Sequence, residues 1–538
     1  MKKIDFPVLR RIAALLCAML LVLGSGCRAA TSDPAAQAQP TTLRLLLLGK
    51  ANGLDRVLDA LYDQMDPEHS WRLDITLMDN TDYEQVLARI LTAHEDYDLV
   101  FDAPWLSLNA QAEQHSYKSL DSYFSNPDYP ALQQAFSEAY LNANRLDGKL
   151  YGIPFTSTYY DVPGIFYRQD LLESLQLGFT SITTREQMLQ YWQALADAGE
   201  IAPIALGARG FYLLNQPDIS LRQANIWDLN GWSFWNYPAK VVLSEDGRTV
   251  LDVVFPGDSA EHFQNLPAPY NQDFLLDCFL KNAEYARYLN PDDLLQEDGS
   301  LVFNRGEAAS FEGTLGSGGT AAVQKQVCQN VPGAKVGFWS YDPAFTPENC
   351  LPGAVPVSYN AWNFLCIPSY STKADEAMAF LDWLYSDVAR LDLFNYGVEG
   401  QDREAVGQEE YRLLDNPAGA YSFPGYELSW TPVHHRLDTT LPAEEKALME
   451  YVYDPASYTD SPLSGFSVNF SRIGIETACL GTLFETYYTG LTHGSYGSET
   501  AAVVQQMHQK SVELGLETVR AELIRQIQQH LDAREDGV

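Results

Sequence analysis

The chain has 538 residues, of which 46% are hydrophobic, 20% charged and 12% aromatic. This composition is that of a globular protein, and the length is too great for one core, so we expect two or more lobes. The formal net charge of −36 disfavours nucleic acids, anionic lipid surfaces and polyanionic ligands as partners.

The first 26 residues predict a secretory signal peptide. Four basic side chains within residues 2–11 precede an apolar run at Ile12–Leu23. This run is too short to span a membrane, which takes about 20 residues. A basic leader, a short apolar run and small residues before a cut site are typical of a secreted protein.

The tetrapeptide Gly24-Ser25-Gly26-Cys27 resembles a lipobox, at which bacterial lipoproteins are lipidated on cysteine and cleaved before it. The usual leucine three places before the cysteine is replaced by Gly24, and Leu23 lies one place further back. The alternative is an ordinary signal peptide with an incidental cysteine. Residues 27–41 then predict a lipidated cysteine and a flexible linker, since they are mostly Ala, Gln, Pro, Ser and Thr. We therefore expect a protein on the extracellular face of a bacterial membrane, attached only through its lipid.

Seven cysteines are present, of which Cys17 lies in the leader and Cys27 is the lipidation candidate. The chain has no C-x-x-C pair, which disfavours zinc ribbons and thioredoxin-like redox chemistry. Cys328 and Cys350 flank a segment with Pro and Gly and are candidates for a disulfide outside the cell. The interpretation that we favour is free, mostly buried thiols.

The region after the linker alternates between strand and helix patterns. The run at residues 42–49 suits a buried parallel strand, and leucines and valine at helical spacing follow in residues 54–61. Residues 71–78 and 96–104 predict further strands, separated by a helix over 83–91. This order predicts an open α/β sheet. Because ligands bind beyond the carboxyl ends of strands in such sheets, residues 50–52 and 102–107 are expected at a site.

The middle of the chain predicts a second α/β section. Asp147-Gly148 and Glu245-Asp246-Gly247 predict hairpin turns. Residues 164–177 predict a strand that leads into a helix, and Thr183 with Glu186 predicts a capped helix after it. Further strands are predicted at 306–314, 334–339 and 360–368.

Two helices are predicted late in the chain. One begins at residues 372–375 and places Met378, Leu381, Leu384, Val388 and Leu391 on one face. The other carries an apolar residue at every fourth position from Val519 to Leu531, and Gly515 separates it from a preceding helix.

A set of phrases spread along the chain carries a family resemblance. In chain order, they include DLVFDAPWLSL, LDGKLYGIPF, GIFYRQDLLESLQL, FNRGEAASFEG and NAWNFLCIP. Their order and spacing resemble the extracellular solute-binding proteins of family 1, lipoproteins that deliver carbohydrates to ABC importers. The tail from Gly465 resembles the long subgroup linked to oligosaccharide uptake. The resemblance covers Leu43 to Leu531.

The resemblance implies an α/β, two-lobed, periplasmic-binding-protein-like (type 2) fold with a hinge and a central ligand cleft. It implies that the chain crosses between lobes near residues 154–158 and returns near 358–360. We therefore expect one lobe from residues 42–155 and 360–410, a second from 156–359, and a mainly helical segment over 411–538.

The resemblance also implies no cofactor. Some long members hold calcium in an acidic loop, but residues 290–293 and 297–300 lack the D-x-[DN]-x-[DN]-G order, so we expect no metal. The implied partners are a carbohydrate and the permease subunits of an ABC transporter, with the protein itself a monomer.

A sugar offers apolar C–H faces and hydroxyl groups, so its cleft needs aromatic side chains and hydrogen-bonding groups. Trp105 follows a predicted strand, and Trp362 and Asn360 lie at the predicted return crossing. In each case the alternative is ordinary packing or a solvated loop, and Trp383, within a helix, is expected in the core. The predicted ligand contacts are Trp105, Tyr159, Tyr160, Asp161, Arg209, Phe211, Trp227, Trp232, Trp235, Glu312, Asn360 and Trp362.

Two other functional classes stay open. A secreted glycan-cleaving enzyme needs only two carboxylates, which a chain with 71 acidic residues can supply. The motifs H-E-x-x-H, G-x-S-x-G, G-x-G-x-x-G and Walker A are not found, and adjacent His434 and His435 are expected at a loop tip rather than on one metal. A peptide receptor is the second alternative. The sequence favours a non-enzymatic carbohydrate-binding component of an ABC importer.

Overall fold

The computed structural model describes residues 40–155, 162–207, 210–211, 214–215, 222, 224–229, 237–289, 298–316, 318–346 and 348–536. The strands are β1 (Thr41–Leu48), β2 (Trp71–Met78), β3 (Leu99–Asp102), β4 (Gly152–Phe155), β5 (Pro163–Arg168), β6 (Ile226–Trp227), β7 (Lys240–Leu243), β8 (Val250–Val254), β9 (Ser310–Thr314), β10 (Val336–Ser340), β11 (Val355–Val357), β12 (Asn363–Cys366), β13 (Arg403–Val406), β14 (Glu410–Leu413), β15 (Leu437–Asp438) and β16 (Tyr458–Asp460). The α-helices are α1 (Leu54–Tyr62), α2 (Asn80–Ala93), α3 (Leu108–Glu113), α4 (Asp121–Phe124), α5 (Pro130–Ala135), α6 (Glu138–Ala143), α7 (Gln169–Leu175), α8 (Arg185–Ala198), α9 (Phe274–Tyr285), α10 (Gly299–Asn304), α11 (Gly319–Val327), α12 (Ala374–Tyr385), α13 (Val388–Tyr396), α14 (Tyr426–Ser429), α15 (Ala443–Tyr453), α16 (Gly474–Thr492), α17 (Thr500–Glu513) and α18 (Leu516–Asp536).

The first lobe is built on a five-stranded sheet with the order β2-β1-β3-β12-β4. Strands β2, β1 and β3 are parallel, and β12 runs antiparallel to both β3 and β4. The apolar run of β1 is continuous because this central strand is covered on both faces, and Leu45 and Leu46 are fully buried. The predicted parallel α/β start of the chain is therefore confirmed.

The second lobe contains an antiparallel sheet with the order β10-β5-β9. Helix α8 packs against it through Trp192, whose indole Nε1 donates to Ser310 Oγ at 2.9 Å. The capping box of this helix uses Thr184 and Gln187, one residue later than the predicted Thr183 and Glu186. Ile165 and Trp192 share the buried core of this lobe.

Two connections join these sheets. The chain leaves the first sheet at the end of β4 and enters the second at β5, and it returns between β11 and β12. These connections include the segments for which the family resemblance implied crossings. Their action as a hinge stays a prediction.

A third sheet, β6-β7-β8, packs against the C-terminal helices. The predicted stripe on α18 lies in this interface, since Val519, Leu523 and Ile527 are fully buried. Gly515, with φ of 98°, separates α17 from α18 as predicted. The turn at Glu245-Asp246-Gly247 joins β7 to β8.

The segment after β13 touches both lobes. Leu428 and Trp430 lie in the core of the first lobe. Helix α15 lies in a smaller core with Val162 and Val357, next to the two connections. Its Glu445 accepts from Thr320 N at 2.9 Å, at the start of α11 in the second lobe.

The helix predicted from residue 372 is two helices. Helix α12 ends at Tyr385, and Asp387 caps α13 by accepting from Ala389 N at 2.9 Å. Val388 is consequently 48% exposed, which corrects its predicted place on the buried face, whereas Leu391 is buried. Trp383 lies in the core as predicted, against Trp71 and Phe380.

The five cysteines of the described residues are free thiols, including Cys328 and Cys350. Cys278 and Cys366 are buried and Cys479 is exposed. Among the helices within the described ranges, none combines the length and apolar character needed to cross a membrane.

Candidate functional site

One edge of the first sheet gathers the ends of four chain segments. Strands β1, β3 and β4 run parallel and end there, and the antiparallel strand β12 begins there. Loops that follow parallel strands meet at such an edge. Their backbone is not hydrogen-bonded within the sheet, so they can present side chains to a ligand. Residues 50–52 and 103–107 therefore lie at this edge, as the predicted sheet required. Residue 362 lies at the same edge, because it directly precedes β12.

Trp105 is fixed in place at this edge. Its indole Nε1 donates to Asn363 Oδ1 at 3.1 Å, and its ring packs edge-on against Phe101 with centroids 6.1 Å apart. The side chain is half-buried. The ring is thus held in place by protein while part of it stays open.

Asp102 holds the loop that carries Trp105. Its Oδ1 accepts from Ala103 N at 2.7 Å and Ser107 N at 3.2 Å, and its Oδ2 accepts from the Tyr117 hydroxyl at 2.6 Å. The carboxyl is fully buried, and this burial raises the pKa of Asp102 to about 6. Since its oxygens are occupied by the loop, Asp102 shapes the site rather than contacting a ligand.

Trp362 is the most exposed tryptophan of the described chain, with 68% of its surface accessible. The residues before it are tied down, because Ala361 N donates to Asn144 Oδ1 at 2.6 Å and Asn360 Nδ2 donates to Phe466 O at 3.3 Å. The Asn360 Oδ1 atom is buried and has no partner among the described residues. A large ring on a fixed backbone, left open to solvent, is free to stack on a ligand.

Glu312 lies on β9 in the second lobe, opposite Ile165 of β5. Its Oε1 accepts from the Tyr341 hydroxyl at 3.0 Å and from Leu214 N. It also borders a cavity of about 330 Å³ that is walled by Phe166 and Phe311. This position allows a polar ligand contact, which stays a prediction.

Two predicted contacts are buried side chains. Phe211 is 1% exposed and packs edge-on against Tyr285, and Trp227 is 6% exposed on β6, in the core shared with the C-terminal helices. Neither presents a surface to a ligand, because each ring fills space between elements of the second lobe. Their burial favours the packing alternative, and a ligand contact at either ring stays a prediction.

The remaining predicted ligand contacts lie outside the described residues. They are Tyr159, Tyr160, Asp161, Arg209, Trp232 and Trp235. The same holds for Cys27 and, of the two acidic segments weighed as calcium loops, for all of residues 290–293 and for Glu297.

Sequence reasoning missed two residues at this edge, Tyr426 and Glu427 of α14. Glu427 is buried, and its Oε2 accepts from Leu48 N at 3.0 Å at the end of β1. Burial raises the pKa of the Glu427 carboxyl well above its usual range, which favours the neutral acid. Tyr426 is 37% exposed and lies 6.0 Å, centroid to centroid, from Phe155 at the end of β4. The only signal was an aromatic residue directly after Pro424-Gly425.

The adjacent histidines have different partners. His434 Nε2 lies 2.8 Å from Asp392 Oδ1, and the His435 ring stacks on Tyr453 with centroids 4.2 Å apart. Burial and the neighbouring His434 lower the pKa of His435 to about 3. Both rings are therefore engaged in packing at a turn, away from any shared ligand.

Known proteins share this architecture. A carbohydrate ABC transporter substrate-binding protein of Streptococcus pneumoniae is 20% identical over 493 residues, which are 90% of this chain and 89% of that protein. The crystal structure of an N-glycan transport solute-binding protein of S. pneumoniae matches with a TM-score of 0.70 and 16% identity, over 92% of this chain and 100% of the other. An alginate-binding protein solved without calcium matches with a TM-score of 0.58 and 14% identity, over 92% of this chain and 98% of the other. The fold is thus that of the two-lobed solute-binding proteins.

Two family models match the chain. Residues 462–532, in the C-terminal helices, match a domain of unknown function. Residues 53–390, well over half of the chain, match the model of bacterial extracellular solute-binding proteins. The chain therefore belongs to the bacterial extracellular solute-binding protein family.

Proposed function

We propose that this protein captures a carbohydrate, in particular an oligosaccharide, between its lobes and delivers it to an ABC importer. The observation that carries the proposal is the pair Trp105 and Trp362 at one sheet edge, one ring pinned by a hydrogen bond and the other 68% exposed. The named functions of the similar proteins point the same way, since one is a carbohydrate transporter component and another was solved with Man5GlcNAc bound.

The energetics require several contacts at once. A hydrogen bond to a sugar hydroxyl adds only about 1 kcal/mol after water is displaced, whereas micromolar affinity needs about −8 kcal/mol. Stacking on the tryptophans supplies part of this energy, and Asn360 and Glu312 are the described candidates for hydroxyl contacts. Closure of the two lobes would bring both sets together and exclude water.

We place the hinge of that closure in the two connections between the sheets, after β4 and before β12. Ligand favours the closed form only to the extent that it binds that form more tightly. Trp105 and Trp362 lie on the first lobe beside these connections, so a ligand held by them would lie where the lobes meet.

We propose that the protein binds without catalysis. The buried acids of the site edge, Asp102 and Glu427, accept from backbone amides and face inward, so neither offers a carboxylate to a glycosidic bond. A glycan-cleaving enzyme is the alternative that the next experiment separates, and a peptide receptor is the other.

A thermal-shift screen against a glycan panel tests the proposal. The panel contains Man5GlcNAc, alginate and xylan oligosaccharides and their monosaccharides, with oligopeptides as the control class. With a glycan at about 100 times its Kd, the free energy of unfolding should rise by about 2.7 kcal/mol. Chromatography of the same samples should show the glycan unchanged. A stabilising peptide, a cleaved glycan, or no shift with any saccharide would contradict the proposal.

We also propose that Cys27 carries a lipid that anchors the protein outside the cell, with the permease in the same membrane. The support is the lipobox-like Gly24-Ser25-Gly26-Cys27 and the charge of about −39 on the rest of the chain, which keeps it off the surface. Palmitate labelling in growing bacteria should mark the wild type and not Cys27→Ser. Equal membrane retention of both would refute the anchor.

A further inference from the structure

We propose that Tyr426 forms a third aromatic contact in the sugar site, and that Glu427 is the residue that positions it. The inference rests on the proposed function for its ligand class and adds to it a further contact residue and the residue that positions it. Both residues belong to α14, well beyond the segment that builds the first sheet.

Helix α14 is held at the site edge by close packing. A Cβ on Gly425 would lie 1.9 Å from Phe394 O, so only glycine allows this approach to α13. Ser429 Oγ donates to Asn395 Oδ1 at 3.0 Å. On the other side, Glu427 Oε2 accepts from Leu48 N at 3.0 Å, where β1 ends. The helix is thus attached both to α13 and to the sheet.

Tyr426 has a partly exposed ring and a hydroxyl that are available to a ligand. The hydroxyls of the buried Tyr83 and Tyr117 donate to Phe101 O and Asp102 Oδ2, whereas that of Tyr426 makes no hydrogen bond within the described part of the chain. Its ring is 37% exposed and is backed by Phe155. A backed ring with a free hydroxyl can stack on a sugar face or donate to a sugar oxygen.

Glu427 acts through Tyr426 rather than on the ligand. The carboxyl is 1% exposed, and its Oε1 has no partner among the described residues. No ion pair to Glu427 occurs within those residues either, so the group serves as a neutral acceptor for Leu48 N. Glutamine keeps this acceptor, and alanine removes it. Glu427 is therefore a positioning residue.

The strand order sets the order of the three rings along the site edge. Trp105 follows β3, Trp362 precedes β12, and Tyr426 contacts Phe155 at the end of β4, and these three strands are neighbours in that order. The backbones of the outer two strands are roughly 10 Å apart, and the rings of Phe101 and Phe155 on them have centroids 5.9 Å apart. A single sugar ring has only two faces and cannot stack on three aromatic side chains, whereas a chain of two or more rings can.

Calorimetric titration of the full-length protein tests this. The probes are the panel oligosaccharide that stabilises the wild type most and its constituent monosaccharide. We expect Tyr426→Ala to raise the Kd for the oligosaccharide about 10-fold and that for the monosaccharide less than about 2-fold. Tyr370 follows the far end of β12, where its hydroxyl donates to Ile90 O at 3.3 Å. Tyr370→Ala is therefore the control for loss of a tyrosine away from the site and should leave both Kd values unchanged. An unchanged oligosaccharide Kd in Tyr426→Ala would overturn the inference.

The role of Glu427 has its own readout. Glu427→Gln should keep the wild-type Kd for the oligosaccharide, whereas Glu427→Ala should raise that Kd as much as Tyr426→Ala does. The double alanine variant should have the same Kd as Tyr426→Ala alone. Additive losses would overturn the positioning role. If no saccharide binds the wild type, the proposed function fails and this inference fails with it. If oligosaccharide affinity falls in Trp362→Ala but not in Tyr426→Ala, only the third contact is refuted.

Discussion

Replacement of Trp362 by alanine should weaken oligosaccharide binding by about 10- to 100-fold, or about 1.4–2.8 kcal/mol. Covering one face of an indole removes roughly 100 Å² from water, which at about 25 cal/mol/Å² stabilises the complex by about 2.5 kcal/mol. Because the ring is 68% exposed without ligand, the loss should appear in binding and not in folding. Calorimetric titration and the melting temperature of the free protein measure the two effects.

Two variants control this prediction. Trp362→Phe keeps an aromatic face and should recover most of the affinity. Val433→Ala removes an apolar side chain that is 69% exposed at another site and should leave binding unchanged. Wild-type affinity in Trp362→Ala would show that the exposed tryptophan is not part of the ligand site.

Replacement of Arg520 by methionine should destabilise the protein by about 3–5 kcal/mol, because it leaves a buried carboxylate without its partner. Arg520 Nη1 donates to Asp258 Oδ2 at 3.0 Å and Nη2 to Asp258 Oδ1 at 2.7 Å, and both side chains are largely buried. This pair joins α18 to the segment after β8. Urea unfolding followed by circular dichroism should show a lower midpoint.

The matched control is an exposed pair of the same chemistry. Arg305 Nη2 lies 2.8 Å from Glu307 Oε2, and both side chains are about half exposed, so Arg305→Met should cost less than about 1 kcal/mol. The double variant Arg520→Met with Asp258→Asn should be more stable than the sum of the two single changes predicts. If Arg520→Met and Arg305→Met lower the free energy of unfolding equally, the buried pair does not stabilise the attachment of α18.

The first sheet was predicted well because its strands have regular apolar patterns in the local sequence. Residues 42–49 are a short apolar run, and residues 71–78 alternate between apolar and polar side chains. They form β1 and β2 within one residue of the predicted bounds. Helix α18 was predicted for the same reason, because an apolar residue at every fourth position from Val519 to Leu531 indicates a helix. The break between α12 and α13 was missed because apolar residues continue in phase across Ser386-Asp387.

The aromatic residues of the site were harder to predict. Trp105 was placed at the edge by the predicted strand order, which local patterns reveal, whereas Trp362 was placed by the return crossing that the family resemblance implied. Phe211 and Trp227 have equally polar neighbours in sequence, and only the fold shows that other elements cover them. Tyr426 reaches the edge through contacts with residues more than 250 positions earlier, including Phe155, and no local pattern records such a contact.

The insertion of β12 between β3 and β4 has a consequence for biogenesis. Within the described chain, β4 has no sheet neighbour except β12, which is made some 200 residues later. A nascent polypeptide that has emerged only through β4 therefore leaves open the two strand edges that β12 later pairs, one on β3 and one on β4. Unpaired edges of this kind invite association with other chains. Maturation cannot proceed one lobe at a time from the amino terminus, and a prematurely terminated product would be an aggregation hazard instead of a half-functional receptor.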